Sequence, residues 1–118
     1  MSVIAFIGAG NSGQAMAADC KLAGAEVRMF QFPEFAEEEK ELFHHKTIEI
    51  WGPEINTKRF TRNGVATLDV VTTSIKEAIK CAQHIVFTCR GNYHEEAAKK
   101  VVPHLEDGQI VSYMPDNY

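Results

Sequence analysis

Val3-Ile-Ala-Phe-Ile-Gly-Ala-Gly-Asn-Ser-Gly13 is the stretch that decides the fold. Val3 to Ile7 is a short apolar run stopped by Gly8, the pattern of a strand buried on both faces. Gly8 to Gly13 reads G-x-G-x-x-G, and Asn11 to Ala23 reads as a helix with Ala15, Ala18 and Leu22 on its apolar face. Strand, glycine turn and helix in that order turn the glycine pattern into a dinucleotide fingerprint. Gly8 permits the tight turn, Gly10 leaves bare backbone for a pyrophosphate, and Gly13 lets the helix pack close to the strand. The helix start offers free N–H groups and a positive dipole end to the phosphates. Gly8, Ala9, Gly10, Asn11, Ser12 and Gly13 are therefore the first cofactor-binding candidates. A glycine-rich turn without a ligand is the bland alternative. A Walker-type phosphate loop needs Lys after its last glycine, and Gln14 stands there. A kinase glycine loop leads into a strand, whereas this one leads into a helix.

Outward from this turn, strands and helices alternate. Gly24 suits the left-handed position that ends a helix, and Glu26 to Phe30 reads as the second strand. Pro33 opens a charged surface helix over Glu34 to Phe43. Thr47 to Trp51 and Val65 to Val71 alternate polar and apolar residues, with turn dipeptides Gly52-Pro53 and Asn63-Gly64 between them. They predict a small hairpin leading into a third core strand at Val70 to Thr72. Ser74-Ile-Lys-Glu77 is a capping box, followed by an apolar stripe of Ile75, Ala78, Ile79 and Ala82. His84 to Cys89 is the fourth strand. Asn92 caps a helix running to Val102, Pro103 ends it, and Gln109 to Met114 is the fifth strand. The alternation predicts an α/β fold: a Rossmann-type doubly wound, mainly parallel sheet of about five core strands in three αβα layers.

The composition agrees with one globular domain over 1–118: 118 residues, 45% hydrophobic and 24% charged. No repeat, low-complexity segment or linker interrupts it. With 12 Lys+Arg against 16 Asp+Glu, the net charge of -4 gives no electrostatic footprint for nucleic acid or an anionic membrane. Cys20, Cys81 and Cys89 are odd in number and lack C-x-x-C spacing, which argues against a disulfide framework or zinc site and for a reducing cytoplasm. The first residues lack a basic leader region and carry glycines that would break a signal core. No apolar run approaches the roughly 18–20 residues of a membrane span.

Further candidates sit at strand ends. An acidic residue about 20 residues past the fingerprint ordinarily accepts hydrogen bonds from the adenosine ribose. Gln31 occupies that place; it can bond the ribose and does not repel a 2′-phosphate, or it is a solvated strand end. Arg28 and Lys40 are the nearby cations, neither clearly placed for such a phosphate, so the choice between NAD and NADP stays open with NAD slightly favoured. Arg90 at the mouth of the fourth strand is a candidate for a carboxylate, and His94 for the cofactor or an anionic substrate; a surface arginine and a helix-surface histidine are the plain readings. Cys89 reads as a buried strand-end thiol. His44-His45 lack metal-ligand spacing, and no metal site is expected. Glu37 to Glu41 reads as a solvated helix face, and Trp51 as part of a half-buried strand.

The runs Gly8 to Ala18, Leu22 to Arg28, Phe32 to Phe35, Val71 to Ala78, His94-Glu95 and Pro103 to Ile110 together resemble the opine (octopine) dehydrogenase family. More distantly the chain looks like the cofactor domains of ketopantoate reductase and glycerol-3-phosphate dehydrogenase. The resemblance implies an N-terminal NAD(P)-binding domain of an enzyme that reductively condenses a 2-oxo acid with an amino acid. It implies a second, helical domain bearing the substrate site and a catalytic His–Asp pair, so no catalytic residue is expected in 1–118. It matches His94 to the family's histidine after the fourth strand; Cys89 and Arg90 join it as cofactor-binding candidates by their place at the carboxyl end of that strand, where open α/β sheets bind ligands. Two places depart from the family pattern: Cys89-Arg90-Gly91 stands where Val-Pro is usual, and Met114-Pro115-Asp116 where Asn-Pro-Gly is usual.

Two other function classes compete: a stand-alone nucleotide-sensing Rossmann module and a flavin-type binder. Both ordinarily keep an acid where Gln31 stands. The doubly wound fold ordinarily continues beyond a fifth strand. The chain is thus expected to be part of a longer protein without turnover of its own, or to have that sheet edge covered by a second copy.

Overall fold

The computed structural model describes residues 2–50 and 64–113. The expected strands form where the apolar runs lie: β1 (Val3–Ile7), β2 (Glu26–Phe30), β5 (Val70–Thr72), β6 (His84–Phe87) and β7 (Ile110–Tyr113). They make one sheet in the order β5-β2-β1-β6-β7, and every pairing in it is parallel. The two remaining strands, β3 (Thr47–Ile50) and β4 (Gly64–Thr67), pair antiparallel as the expected small excursion. Trp51, the Gly52-Pro53 turn and Met114-Pro115-Asp116 lie outside the described residues, as does Asn63.

Alternation along each buried strand divides the core between two faces. On one face Ala5, Ile7, Phe30, Ile85 and Phe87 pack with Ile75, Ala78 and Ile79 of α3 (Ile75–Ile79) and with Ala97 and Val101 of α4 (His94–Val101). On the other, Phe6, Val27, Met29 and Val86 pack with Ala17 and Ala18 of α1 (Asn11–Leu22), Leu42 of α2 (Lys40–His45) and the β3–β4 hairpin. The result is the three-layer αβα sandwich.

Four local expectations change. The buried side of α1 is Gly13, Ala17 and Ala18, and Ala15 is exposed, because β1 is met by the face carrying Gly13. The charged segment after Pro33 is a 3₁₀ helix, Pro33–Glu39, before α2 begins at Lys40. Ser74 caps α3 by accepting from Glu77 N–H at 3.3 Å, but the reciprocal half of the box is absent. Glu77 instead accepts from the Thr72 hydroxyl at 2.6 Å, and Ser74 N–H donates to the same hydroxyl oxygen. Asn92 does not cap α4: it lies in a 3₁₀ turn, Gly91–Tyr93, and α4 starts at His94 without a side-chain cap.

The register aligns the carboxyl ends of the strands. Ile7 pairs with Phe30 on one side and with Phe87 on the other, and Phe30 pairs with Thr72. The next residues, Gly8, Gln31 and Thr88, therefore emerge side by side at one edge of the sheet. The chain turns to opposite sides of β1 from here, which makes this edge the topological switch point where open α/β sheets bind ligands.

Candidate functional site

A cleft of about 460 Å³ opens at that edge. Its floor is Gly8, Ala9 and Gly10, one wall carries Gln31, Phe32, Phe35, Glu38 and Glu39, and the other carries Thr88, Cys89, Arg90, Asn92 and Tyr93.

The three fingerprint glycines differ physically. Gly8 has φ +119°, and a Cβ there would stand 2.5 Å from Cys89 N, so both conformation and space demand glycine. A Cβ on Gly13 would collide with the Gly8 carbonyl and lie 2.7 Å from Thr88 Oγ1; this glycine seats α1 against β1 and β6. Gly10 has an ordinary φ of -75°, and a Cβ there would meet nothing within 4 Å. The fold does not require glycine at position 10. A methyl group there would occupy open space on the cleft floor, which is the cradle a pyrophosphate needs. Gly10 is also the N-cap of α1 and offers it no side-chain cap, and the first turn holds no acid. The positive end of α1 is therefore free for an anion. Asn11 and Ser12 are exposed on that first turn, and Gly13 is buried beneath it.

Gln31 is 7% exposed, so it is no solvated strand end. Its Oε1 accepts from Phe32 N–H at 3.0 Å, which leaves the carboxamide N–H groups, without a protein partner among the described residues, on the cleft wall. Arg28 is committed elsewhere: it donates to Glu26 at 2.9 and 3.1 Å and to the Lys80 carbonyl. Lys40 does not line the cleft. Arg90 does, is exposed, and pairs with no carboxylate among the described residues.

Cys89 lines the cleft half-buried, and burial pushes its thiol up to about 11. A thiol held protonated at neutral pH is a poor nucleophile, so its place here is packing against the glycine turn. His94 is not on the cleft wall. Its Nε2 is 3.0 Å from the Cys89 carbonyl, and its ring packs against Phe87 and Tyr113. His44 and His45 meet edge to face, and no group of three metal-ligating side chains occurs among the described residues.

Several site residues escaped the sequence reading. Thr88 donates its hydroxyl to the Gly8 carbonyl at 2.7 Å and so fixes the glycine turn from β6. Gln14, noted only as the missing Walker lysine, donates from Nε2 to the Ala9 carbonyl at 2.8 Å and to Glu39 at 3.1 Å. Phe32, Phe35 and Tyr93 form an aromatic wall with ring centroids 5.2–6.3 Å apart. Glu38 and Glu39, read as part of a solvated face, line the cleft. Thr88 and Tyr93 become legible only when β6 is placed beside β1, a long-range pairing that no local pattern encodes.

Comparison with known proteins finds the same fold. The octopine dehydrogenase structure with NADH and L-arginine superposes on 98% of the chain with a TM-score of 0.79 at 18% identity, and the chain covers 28% of that protein. Yersinopine dehydrogenase with bound NADP+ superposes on 90% of the chain (TM-score 0.70, 15% identity, 27% of that protein). D-mandelate dehydrogenase with NADH and anilino(oxo)acetate does so over 95% (TM-score 0.70, 18% identity, 33% of that protein). The chain thus spans roughly a third or less of the length of these dehydrogenases. No curated protein matches the sequence. The resemblance to opine dehydrogenases read from the residues is met by these neighbours. The family match falls on the relative named there as more distant. Residues 3–114 match the N-terminal domain of NAD-dependent glycerol-3-phosphate dehydrogenase, and the chain belongs to that family of NAD(P)-binding domains.

Proposed function

We infer that this chain is the cofactor-binding part of an opine dehydrogenase-like oxidoreductase that reductively condenses a 2-oxo acid with the amino group of an amino acid. The observation that carries this reading is the superposition of 98% of the chain on octopine dehydrogenase. A nicotinamide dinucleotide supplies hydride chemistry when bound, and the protein supplies binding and orientation. Gly8, Ala9 and Gly10, with the N–H groups of Asn11, Ser12 and Gly13, hold the pyrophosphate. Gln31 donates to the adenosine ribose. Thr88, Cys89 and Arg90 form the opposite side, where the Arg90 guanidinium meets an anionic group. NAD is the favoured carrier. The substrate site and the catalytic pair belong to a further domain. The exposure of Ile110 and Tyr113, 56% and 55%, supports contact with that domain, or with a second copy of the chain, at the edge beside β7.

A second reading is a 2-oxo acid reductase acting on a C–O bond, favoured by the likeness to D-mandelate dehydrogenase. Assays with a 2-oxo acid and reduced cofactor, with and without an amino acid, separate the two once the chain is joined to a substrate domain. Cofactor oxidation that requires the amine supports opine formation, and equal oxidation without it supports the reductase. The chain alone is expected to bind NADH without consuming it; steady oxidation by the chain alone would contradict the assignment of the catalytic groups elsewhere.

A further inference from the structure

We propose that Glu38 and Glu39 make this cleft selective for a dinucleotide with a free adenosine 2′-hydroxyl and exclude one that carries a 2′-phosphate. The proposal rests on the dinucleotide reading above and adds the residues that set the choice. In the ordinary arrangement one acid at the end of the second strand does this work. Here that place holds the neutral Gln31, which would admit either carrier. The structure puts two carboxylates on the same wall by another route. The Pro33–Glu39 segment, a 3₁₀ helix rather than a free surface helix, carries Glu38 and Glu39 onto the cleft beside Gln31.

Glu39 is held there. Its carboxylate accepts from Gln14 Nε2 at 3.1 Å, and the same nitrogen donates to the Ala9 carbonyl of the glycine turn at 2.8 Å. The acid is thus one side chain away from the phosphate-binding floor. Gln14 is a neutral partner, and Glu39 pairs with no cation among the described residues. Glu38 has no cation partner among the described residues, Arg28 is tied to Glu26, and Lys40 is off the lining. Among the described residues the cation on the lining is Arg90, on the opposite wall. The buried Gln31 carboxamide lines the same wall, and its N–H groups, without a protein acceptor among the described residues, suit a ribose oxygen. A 2′-phosphate bonded there would bring about two negative charges against two carboxylates.

The test titrates the full chain and its Glu38→Gln, Glu39→Gln and doubly substituted forms with NADH and with NADPH, followed by nicotinamide fluorescence at low and high salt. The unsubstituted chain should bind NADH tighter than NADPH by roughly tenfold or more at low salt, since like charges are being brought together. The double substitution should bring the ratio towards one, chiefly by raising NADPH affinity. Salt should shrink the ratio in the unsubstituted chain and leave it unchanged in the double variant, a signature of charge rather than shape. Glu38→Gln, at an exposed residue, moves the ratio in the same direction even where Glu39→Gln disturbs folding. NADPH bound as tightly as NADH, or a ratio unmoved by the double substitution, would overturn the proposal. Binding of neither carrier by the folded chain would overturn the dinucleotide reading with it, which is a distinct result.

Discussion

Gly10 and Gly13 differ in what their missing side chains leave room for, and substitution separates the two roles. A methyl at Gly13 must push the Gly8 carbonyl or Thr88 away. Gly13→Ala should destabilise the fold by about 1–3 kcal/mol, the usual cost of overpacking, read as a lowered urea midpoint. A methyl at Gly10 meets no protein atom within 4 Å. Gly10→Ala should leave stability within about 1 kcal/mol yet weaken NADH binding roughly tenfold or more, since it fills only ligand space. Cys89 gives a second prediction. Burial raises its thiol from the ordinary 9.0 to about 11, so the folded state holds the proton more tightly than the unfolded chain. That contribution to stability is complete below pH 9 and is lost as the pH rises towards 11. Cys89→Ser should flatten the alkaline limb of the stability curve, and iodoacetamide at neutral pH should alkylate exposed Cys81 well before Cys89. The glycines were legible in the sequence because their roles follow from spacing. Thr88 and Glu39 were not, because each is held at the cleft by a neighbour distant in the chain, Gly8 and Gln14.

Asp69 shows what holds the elements in place around the site. It stands between β4 and β5, where nothing in the sequence marks it. Its carboxylate accepts from Val27 N–H at 2.7 Å and from Lys21 Nζ at 2.9 Å, joining the start of β2 to the end of α1. Burial alone would raise its carboxyl, but the Val27 hydrogen bond and the Lys21 charge outweigh this and hold it below the ordinary 3.8. The stability it gives is present above the ordinary carboxylate range and is lost as the pH falls through the lowered folded value. Asp69→Ala should cost about 1–3 kcal/mol at neutral pH and remove part of the acid limb, measured by urea unfolding between pH 2 and 7. At this scale the sequence was readable where the pattern was strong. The apolar runs of β1, β2 and β6 and the stripe of α3 all emerge as expected. The Pro33 segment misled, because charge suggested a solvated helix while Phe35 anchors it to Phe32 and Tyr93 and turns its acids to the cleft.

The whole molecule is organised so that one edge of the sheet carries the cleft. Five parallel strands with β1 in the centre bring the ends of β1, β2 and β6 to a single line. The two core clusters lie on the two faces of the sheet and fix that line from both sides. Topology was legible early because strands alternating with helices leave few arrangements, all right-handed and parallel. The cleft was legible only as a place, at the first turn, and not as a set of walls. The central claim is that this edge holds a nicotinamide dinucleotide across the glycine turn. It is tested most directly by following backbone amide NMR signals of the chain as NADH is added. The signals of Gly8, Gly10, Gln31, Thr88 and Arg90 should shift in a saturable way, while those of α3 and β7 stay in place. Saturable shifts confined to α3 and β7, or no shifts at all in the folded chain, would contradict it.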